Sequence, residues 1–233
     1  VDVLGEGLLE ALRLLLTGDE QTWEITGLTL RVSLTATAIA VLLGVPVAAA
    51  LALGRFRGRQ VLLAVANTGM GLPPVVVGLF VTVLLWRDGP LGALGLLYTP
   101  TAMVVAQAAI AVPIVVALTA AALRQVDPDF LLQMRALGAT RVRALGALLA
   151  EARLPLLAAA MAGFGAVVSE VGAAQMVGGN LAGETRVLTT AAVLATSRGQ
   201  FALAIAFGLV LLVIAFAVNL AVTLAQHRTT APR

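Results

Sequence analysis

The chain has 233 residues, 60% hydrophobic and 12% charged, with a mean hydropathy of +1.02; a water-soluble domain of this size could not hide that much apolar surface in one core. It has no Cys, one His (His227) and fifteen basic residues that are all Arg, which excludes disulfides, thiolate chemistry, paired-His metal sites, Schiff-base lysines and any phosphate loop needing G-K-[ST]. The isoelectric point near 10.9 rests on a net charge of only +3 and does not point to nucleic acid.

In chain order, residues 3–16 (VLGEGLLEALRLLL) come first. They are too short and too charged to span, and their spacing predicts an amphipathic helix lying on the outer membrane surface. Lacking a basic n-region, the stretch does not read as a signal peptide. A spanning helix needs about 20 mostly apolar residues, and five stretches qualify: about 27–53, 61–86, 100–123, 155–177 and 202–225. The second, third and fifth carry no charge; the first carries Arg31 near its start and the fourth carries Glu170. Pro46, Pro73, Pro74 and Pro113 fall inside spans, where freed carbonyls need a neighbour or a water-lined cavity. Simple kinks are expected at Pro46 and Pro113. The fourth stretch is crowded with small residues from Ala158 to Ala174, which predicts close packing at the centre of a bundle or at a subunit interface. Continuous apolar runs argue against a barrel, so the expected fold is an all-α polytopic membrane protein with about five transmembrane helices. The chain divides into an extracytoplasmic segment (1–25), a membrane domain (26–226) containing a long loop at 124–154, and a short cytoplasmic tail (227–233).

Arginine placement orients the bundle. Arg55, Arg57, Arg59, Arg124, Arg135, Arg141, Arg143, Arg153, Arg228 and Arg233 share one side if five helices alternate, and the other five share the opposite side with most of the acids. The expectation is an N-terminus outside and a C-terminus in the cytoplasm.

The 124–154 loop carries its own folding signals. Asp127 caps a helix, Pro128 suits its first turn and Asp129 favours its positive end. The amphipathic run from Phe130, with Leu131, Met134, Arg135 and Leu137, ends at Gly138, a residue suited to close a helix. Ala139 follows, and Thr140 caps a second helix from Arg141. Two short helices at a glycine corner make a rigid knob with an apolar face and Arg flanks, suited to docking in a partner's groove. The plainer alternative is a solvated basic loop that fixes topology. Residues Arg135–Ala144, RALGATRVRA, resemble the cytoplasmic coupling loop of ATP-binding-cassette (ABC) importer permeases, whose pattern is E-A-A-x-x-x-G. Gly138 matches that glycine, whereas Leu132, Gln133 and Met134 stand where E-A-A would fall.

A second resemblance spans about residues 8–225. SEVGAAQMVGGN from Ser169, LAGETRVLTTA to Ala191, GLPPVVVGL from Gly71, GPLGALGLLYTPTAMVVAQ from Gly89 and SRGQFALAIAFGLVLL from Ser197 resemble the permeases of tungstate importers, close relatives of the molybdate permeases. The chemistry near residue 180 fits oxyanion passage. Gly178, Gly179 and Gly183 let backbone N–H groups approach an anion. Asn180, Thr185, Thr189 and Thr190 add neutral donors, and Arg186 adds a cation able to pair with two oxygens. The alternative is an outer Gly-rich turn with Arg186 solvated or paired with Glu184. A charge at Glu170 costs roughly 2.5–3.5 kcal/mol near the membrane centre. Glu170 should therefore face the interior, bonded to Ser or Thr hydroxyls, paired with Arg31, or protonated. A negative charge on an anion route is self-defeating, so a structural or gating role is expected for it. Ser169 and Glu170 join Gly178, Gly179, Asn180, Gly183, Thr185 and Arg186 as candidate pathway or gate residues.

The resemblance implies a type I ABC importer permease bundle in the cell inner membrane, with no catalysis and no cofactor or metal of its own. It implies two copies around one pathway, a cytoplasmic ATPase dimer carrying ATP and Mg, and an extracytoplasmic binding protein delivering tungstate. Molybdate or sulfate is the alternative cargo. An ATP-independent channel or secondary transporter is the competing class; it should show internal repeats or more intramembrane ionisable groups.

Overall fold

The computed structural model describes residues 3–127 and 129–230, and these are helical with no strand among them. Pro128 and Arg233 lie outside the described residues, as do the side chains of His227 and Arg228.

Helix α1 (Val3–Thr17) packs on the last helix, α11 (Phe201–Thr230). The contact uses small residues: Ala11 is buried, and a Cβ on Gly7 would stand 2.5 Å from Ile205. Leu4, Leu8, Leu9, Leu12 and Leu16 face outward, as on a helix whose apolar face meets lipid.

The first span, α2 (Glu20–Leu53), begins at Glu20 rather than near residue 27. Asp19 causes the earlier start: its carboxylate accepts the Thr22 N–H at 2.8 Å and the Thr22 hydroxyl at 2.6 Å, satisfying an orphan donor of the first turn. Those bonds, the hydroxyl first, hold the Asp19 carboxyl below the usual carboxylate range. Pro46 sits inside α2 without ending it. At the far end Arg59 donates to the carbonyls of Leu51 at 2.6 Å and Ala52 at 2.9 Å, a cation on the negative end of the helix.

The second expected span, 61–86, is not one helix. It is α3 (Arg59–Gly69) followed by α4 (Pro74–Leu85), bent by 104°. Pro74 has no N–H to donate, and each proline disfavours the helical conformation in the residue before it. The third span, α5 (Pro100–Gln125), is unbroken across Pro113, and Thr99 caps it.

The long loop folds as α6 (Phe130–Ala136) and α7 (Arg141–Glu151), and α7 turns by 69° into α8 (Arg153–Val168). The fourth expected span, 155–177, is also interrupted: after α8 the chain breaks at 169–171 and resumes as α9 (Gly172–Gly178). Ser169 turns its hydroxyl back onto the Gly165 carbonyl at 2.8 Å, a local bond that competes with helix continuation. Residues 188–197, expected in the outer loop, form α10 (Leu188–Ser197), packed on α11. Among the described residues three helices, α2, α5 and α11, are thus long and apolar enough to cross a membrane, and counting each of the bent pairs α3–α4 and α7–α8 as one span gives at most five.

The core is built mainly on α2 against α5. Val32 and Ala40 meet Met103, Ala106, Ala111 and Val115, and Val77, Val167, Ala173 and Val177 close the same cluster. Small side chains let the backbones approach: a Cβ on Gly44 would lie 2.9 Å from Val115. In lipid such packing replaces the hydrophobic driving force as the source of helix association.

Candidate functional site

Two constructions carry chemistry, one at each end of the bundle. The first is the arginine-rich elbow between α5 and α8. Asp127 accepts the Asp129 N–H at 2.8 Å, starting α6. The Ala139 N–H donates to the Met134 carbonyl at 3.0 Å across Gly138, whose φ of +83° is cheap only for glycine. Thr140 then caps α7 by accepting the Arg143 N–H at 3.3 Å. The corner therefore forms from its own sequence.

The elbow has an anchored face and an open one. Phe130, Leu131 and Leu145 pack with buried Leu123, Leu148 and Ala49, which root it to the ends of α2 and α5. Met134 and Ala139 are half-buried, while Arg135, Gly138, Thr140 and Arg141 are exposed. The open apolar residues are Leu132, Leu137 and Val142, at 61%, 83% and 80% exposure. Only Leu137 of these three stood among the sequence candidates. Leu132 and Val142 lie off the stripe that anchors the elbow, and that offset is the signal that could have found them. A cavity of about 290 Å³ at the root is lined by Arg55, Arg59, Arg124, Asp127 and Leu131.

The second construction is the hairpin from α9 through residues 179–187 into α10, held by threonines. The buried Thr185 hydroxyl donates to the Gly178 carbonyl at 2.5 Å and accepts the Leu181 N–H at 3.0 Å. Thr189 donates to the Glu170 carbonyl at 2.8 Å. Thr190 exchanges two bonds with the main chain of Val187. Thr29 on α2 accepts the Leu188 N–H at 2.9 Å, tying the start of α10 to the first span. A threonine inside a spanning helix gave no hint of that partner.

Glu170 is 8% exposed and its Oε1 accepts the Ala173 N–H at 2.8 Å. Glu170 thus caps α9 at the helix break through a backbone N–H rather than a Ser or Thr hydroxyl, and Arg31 is exposed on α2. Gly178 is buried, and a Cβ on it would stand 2.9 Å from the Met103 sulfur. Gly179 and Gly183 have φ of +71° and +76°, so both turns of the hairpin require glycine. Ser169, Gly179 and Gly183 are exposed, and Asn180 and Arg186 are half-buried.

Arg186 donates from Nε to Asn180 Oδ1 at 3.2 Å and from Nη2 to the Asn180 carbonyl at 3.3 Å. That pairing fixes its guanidinium against the loop. Arg186 also lines a cavity of about 240 Å³ with Arg198, Gln21 and Gln200. Two guanidinium groups and two amides, set among apolar residues at one opening, can donate charge-assisted and neutral hydrogen bonds to a tetrahedral oxyanion. Arg198 lies twelve positions beyond Arg186, and only the α10 turn brings them to one cavity.

A family model described as binding-protein-dependent transport system inner membrane component matches residues 40–231. The chain is 38% identical over 219 residues to the tungstate uptake system permease protein TupB of Peptoclostridium acidaminophilum, covering 94% of this chain and 96% of that one. It is 33% identical to the tungstate uptake system permease protein TupB of Campylobacter jejuni over 94% of this chain and 92% of that one. A probable anion ABC transporter permease protein of Haloferax volcanii is 38% identical over 84% and 86% of the two chains. Among solved structures, the inward-facing MetNI methionine ABC transporter shares the fold, with a TM-score of 0.71 and 20% identity over 91% of this chain and 95% of that one.

Proposed function

The chain belongs to the family of inner-membrane components of binding-protein-dependent transport systems, and from that membership we propose that it is the membrane-spanning permease subunit of an ATP-driven tungstate importer. It is a multi-pass inner-membrane protein and a transport subunit, not an enzyme. The observation that carries the cargo is the 38% identity to a tungstate uptake permease across 94% of the chain.

Two copies surround one pathway, with the arginine-rich end in the cytoplasm. The elbow at Gly138 seats Leu132, Leu137 and Val142 in a groove of a partner ATPase, with Arg135 and Arg141 at the rim. ATP and Mg bind on that partner. When the ATPases close, the elbow moves with the ends of α2 and α5 to which Leu131 and Leu148 anchor it. The 69° turn from α7 into α8 passes that displacement along α8 to the break at Ser169 and on to the α9–α10 hairpin. At the opposite end a binding protein delivers the anion to the opening beside Arg186 and Arg198.

Uptake by vesicles holding permease, ATPase and binding protein tests the cargo. Tungstate should accumulate, and equimolar sulfate should leave its uptake nearly unchanged. Sulfate accumulation with no tungstate uptake would overturn the assignment; molybdate serves as the close competitor.

A further inference from the structure

The break between α3 and α4 lies deep in the bundle and is open on one side. A Cβ on Gly69 would stand 2.6 Å from Pro113, and Pro113 lies at the middle of α5 (Pro100–Gln125). At 1.5 Å per residue α5 is ~39 Å long, so the break falls about midway across a ~30 Å hydrocarbon layer. Met70, Gly71, Leu72 and Pro73 are nevertheless all exposed.

Their main chain is not satisfied from within. Among the described residues, no hydrogen bond reaches the carbonyls of Met70, Gly71 and Leu72. Asn67 and Thr68, in the last turn of α3, are exposed side chains without a hydrogen-bond partner among the described residues. In hydrocarbon each unpaired polar group costs several kcal/mol, and irregular backbone at that depth is tolerated only against protein or water.

The second break lies beside the first. Val75, at the start of α4, covers Gly172 at the start of α9, where a Cβ would stand 2.6 Å away. There Ser169 and Gln175 are exposed too. Below Ser169, in the upper half of α8, Ala158 and Ala162 are exposed, and Leu154 and Leu157 are exposed further down the helix. Both interruptions thus offer polar groups next to exposed Met70, Leu72 and Val75, while the exposed large side chains midway along α11 are the apolar Leu212, Val213 and Phe216.

We propose that the α3–α4 break opens onto a water-filled passage, and that the Asn67 amide and Thr68 hydroxyl are hydrogen-bond partners for a tetrahedral oxyanion midway across the membrane. The first half stands on the geometry; the oxyanion half rests on the importer reading. Water satisfies the three free carbonyls, and neutral donors hold a dianion weakly enough to release it.

The chain has no Cys, so single cysteines report without background. Asn67→Cys and Thr68→Cys, in the importer assembled with its partner ATPase in vesicles opened to both faces and with and without ATP, should react on this chain with a charged thiol reagent at least tenfold faster than Leu212→Cys. A charged reagent needs water and an ionisable thiol; rates equal to that of Leu212→Cys in both conditions would overturn the passage. In the assembled importer, Asn67→Leu with Thr68→Val should cut tungstate uptake about tenfold at unchanged melting temperature, and undiminished uptake would overturn the oxyanion contact. If the cysteines label but the unaltered importer moves no tungstate, the cargo reading and the oxyanion contact fall while the water-lined break stands. If tungstate moves but neither cysteine labels, the passage and the oxyanion contact both fall while the cargo reading stands.

Discussion

At the scale of single residues, two acidic side chains hold the backbone at helix starts. Glu170 caps α9, and Asp19 caps α2. Truncating a buried cap leaves an N–H unpaired, so Glu170→Ala should lower stability by about 1–3 kcal/mol. Glu170→Gln keeps an acceptor oxygen and should lose much less. If Glu170 serves only as a cap, Glu170→Gln retains normal uptake per folded copy. Normal stability with uptake abolished would instead assign it to the gate. Asp19→Ala should cost about 1 kcal/mol, read as a shift of about 2–4 °C in thermal unfolding. The Asp19 carboxyl is held low by Thr22, so its stabilisation is full at neutral pH and is lost as pH falls through its lowered folded value. The melting advantage of the native chain over Asp19→Asn should therefore be largest near pH 7 and shrink below about pH 4. An advantage that grows on acidification would contradict the capping role.

At the scale of elements, two devices decide the behaviour: a glycine corner that turns the chain outside the core and broken helices that turn it inside. Gly138 has φ +83°, and a Cβ added there would meet no atom within 4 Å, so Gly138→Val strains the corner without a clash. The expected outcome is preserved assembly with ATP hydrolysis uncoupled from uptake, measured as phosphate released per tungstate moved. A native ratio would refute the corner as the coupling element. Gly78 is different: a Cβ there would lie 2.7 Å from the Ala173 backbone, so Gly78→Leu should push α4 from α9 and reduce folded yield outright. Much of this level was legible in the sequence. Asp127, Gly138 and Thr140 act locally, and local signals specify the elbow without tertiary help. The 104° bend at Pro73–Pro74 was not legible, because a proline pair marks an interruption but leaves its angle to packing, here Gly69 on Pro113. The sequence did not reveal α10, because LTTAAVLATS is short and its stability comes from Thr29, α11 and the Thr190 bond rather than from length.

At the scale of the whole molecule, composition was decisive for class. A chain this apolar, with arginines gathered at the loops flanking its spans, belongs in a bilayer; α2, α5 and α11 are single spans, whereas the uncharged run at 61–86 is broken at its proline pair. The candidate pathway was less legible: Gly178, Thr185 and Glu170 are turned to internal bonds, whereas Arg198, Asn67 and Thr68 reach open surfaces that no local pattern marks. In the proposed function this chain is a conduit driven from outside itself, through an elbow presenting Leu132, Leu137 and Val142. The direct measurement is tungstate uptake by vesicles containing this chain and its binding protein, with and without the partner ATPase and ATP. Accumulation against a gradient only when both ATPase and ATP are present is the expected result. Equal accumulation by this chain without the ATPase would contradict the account.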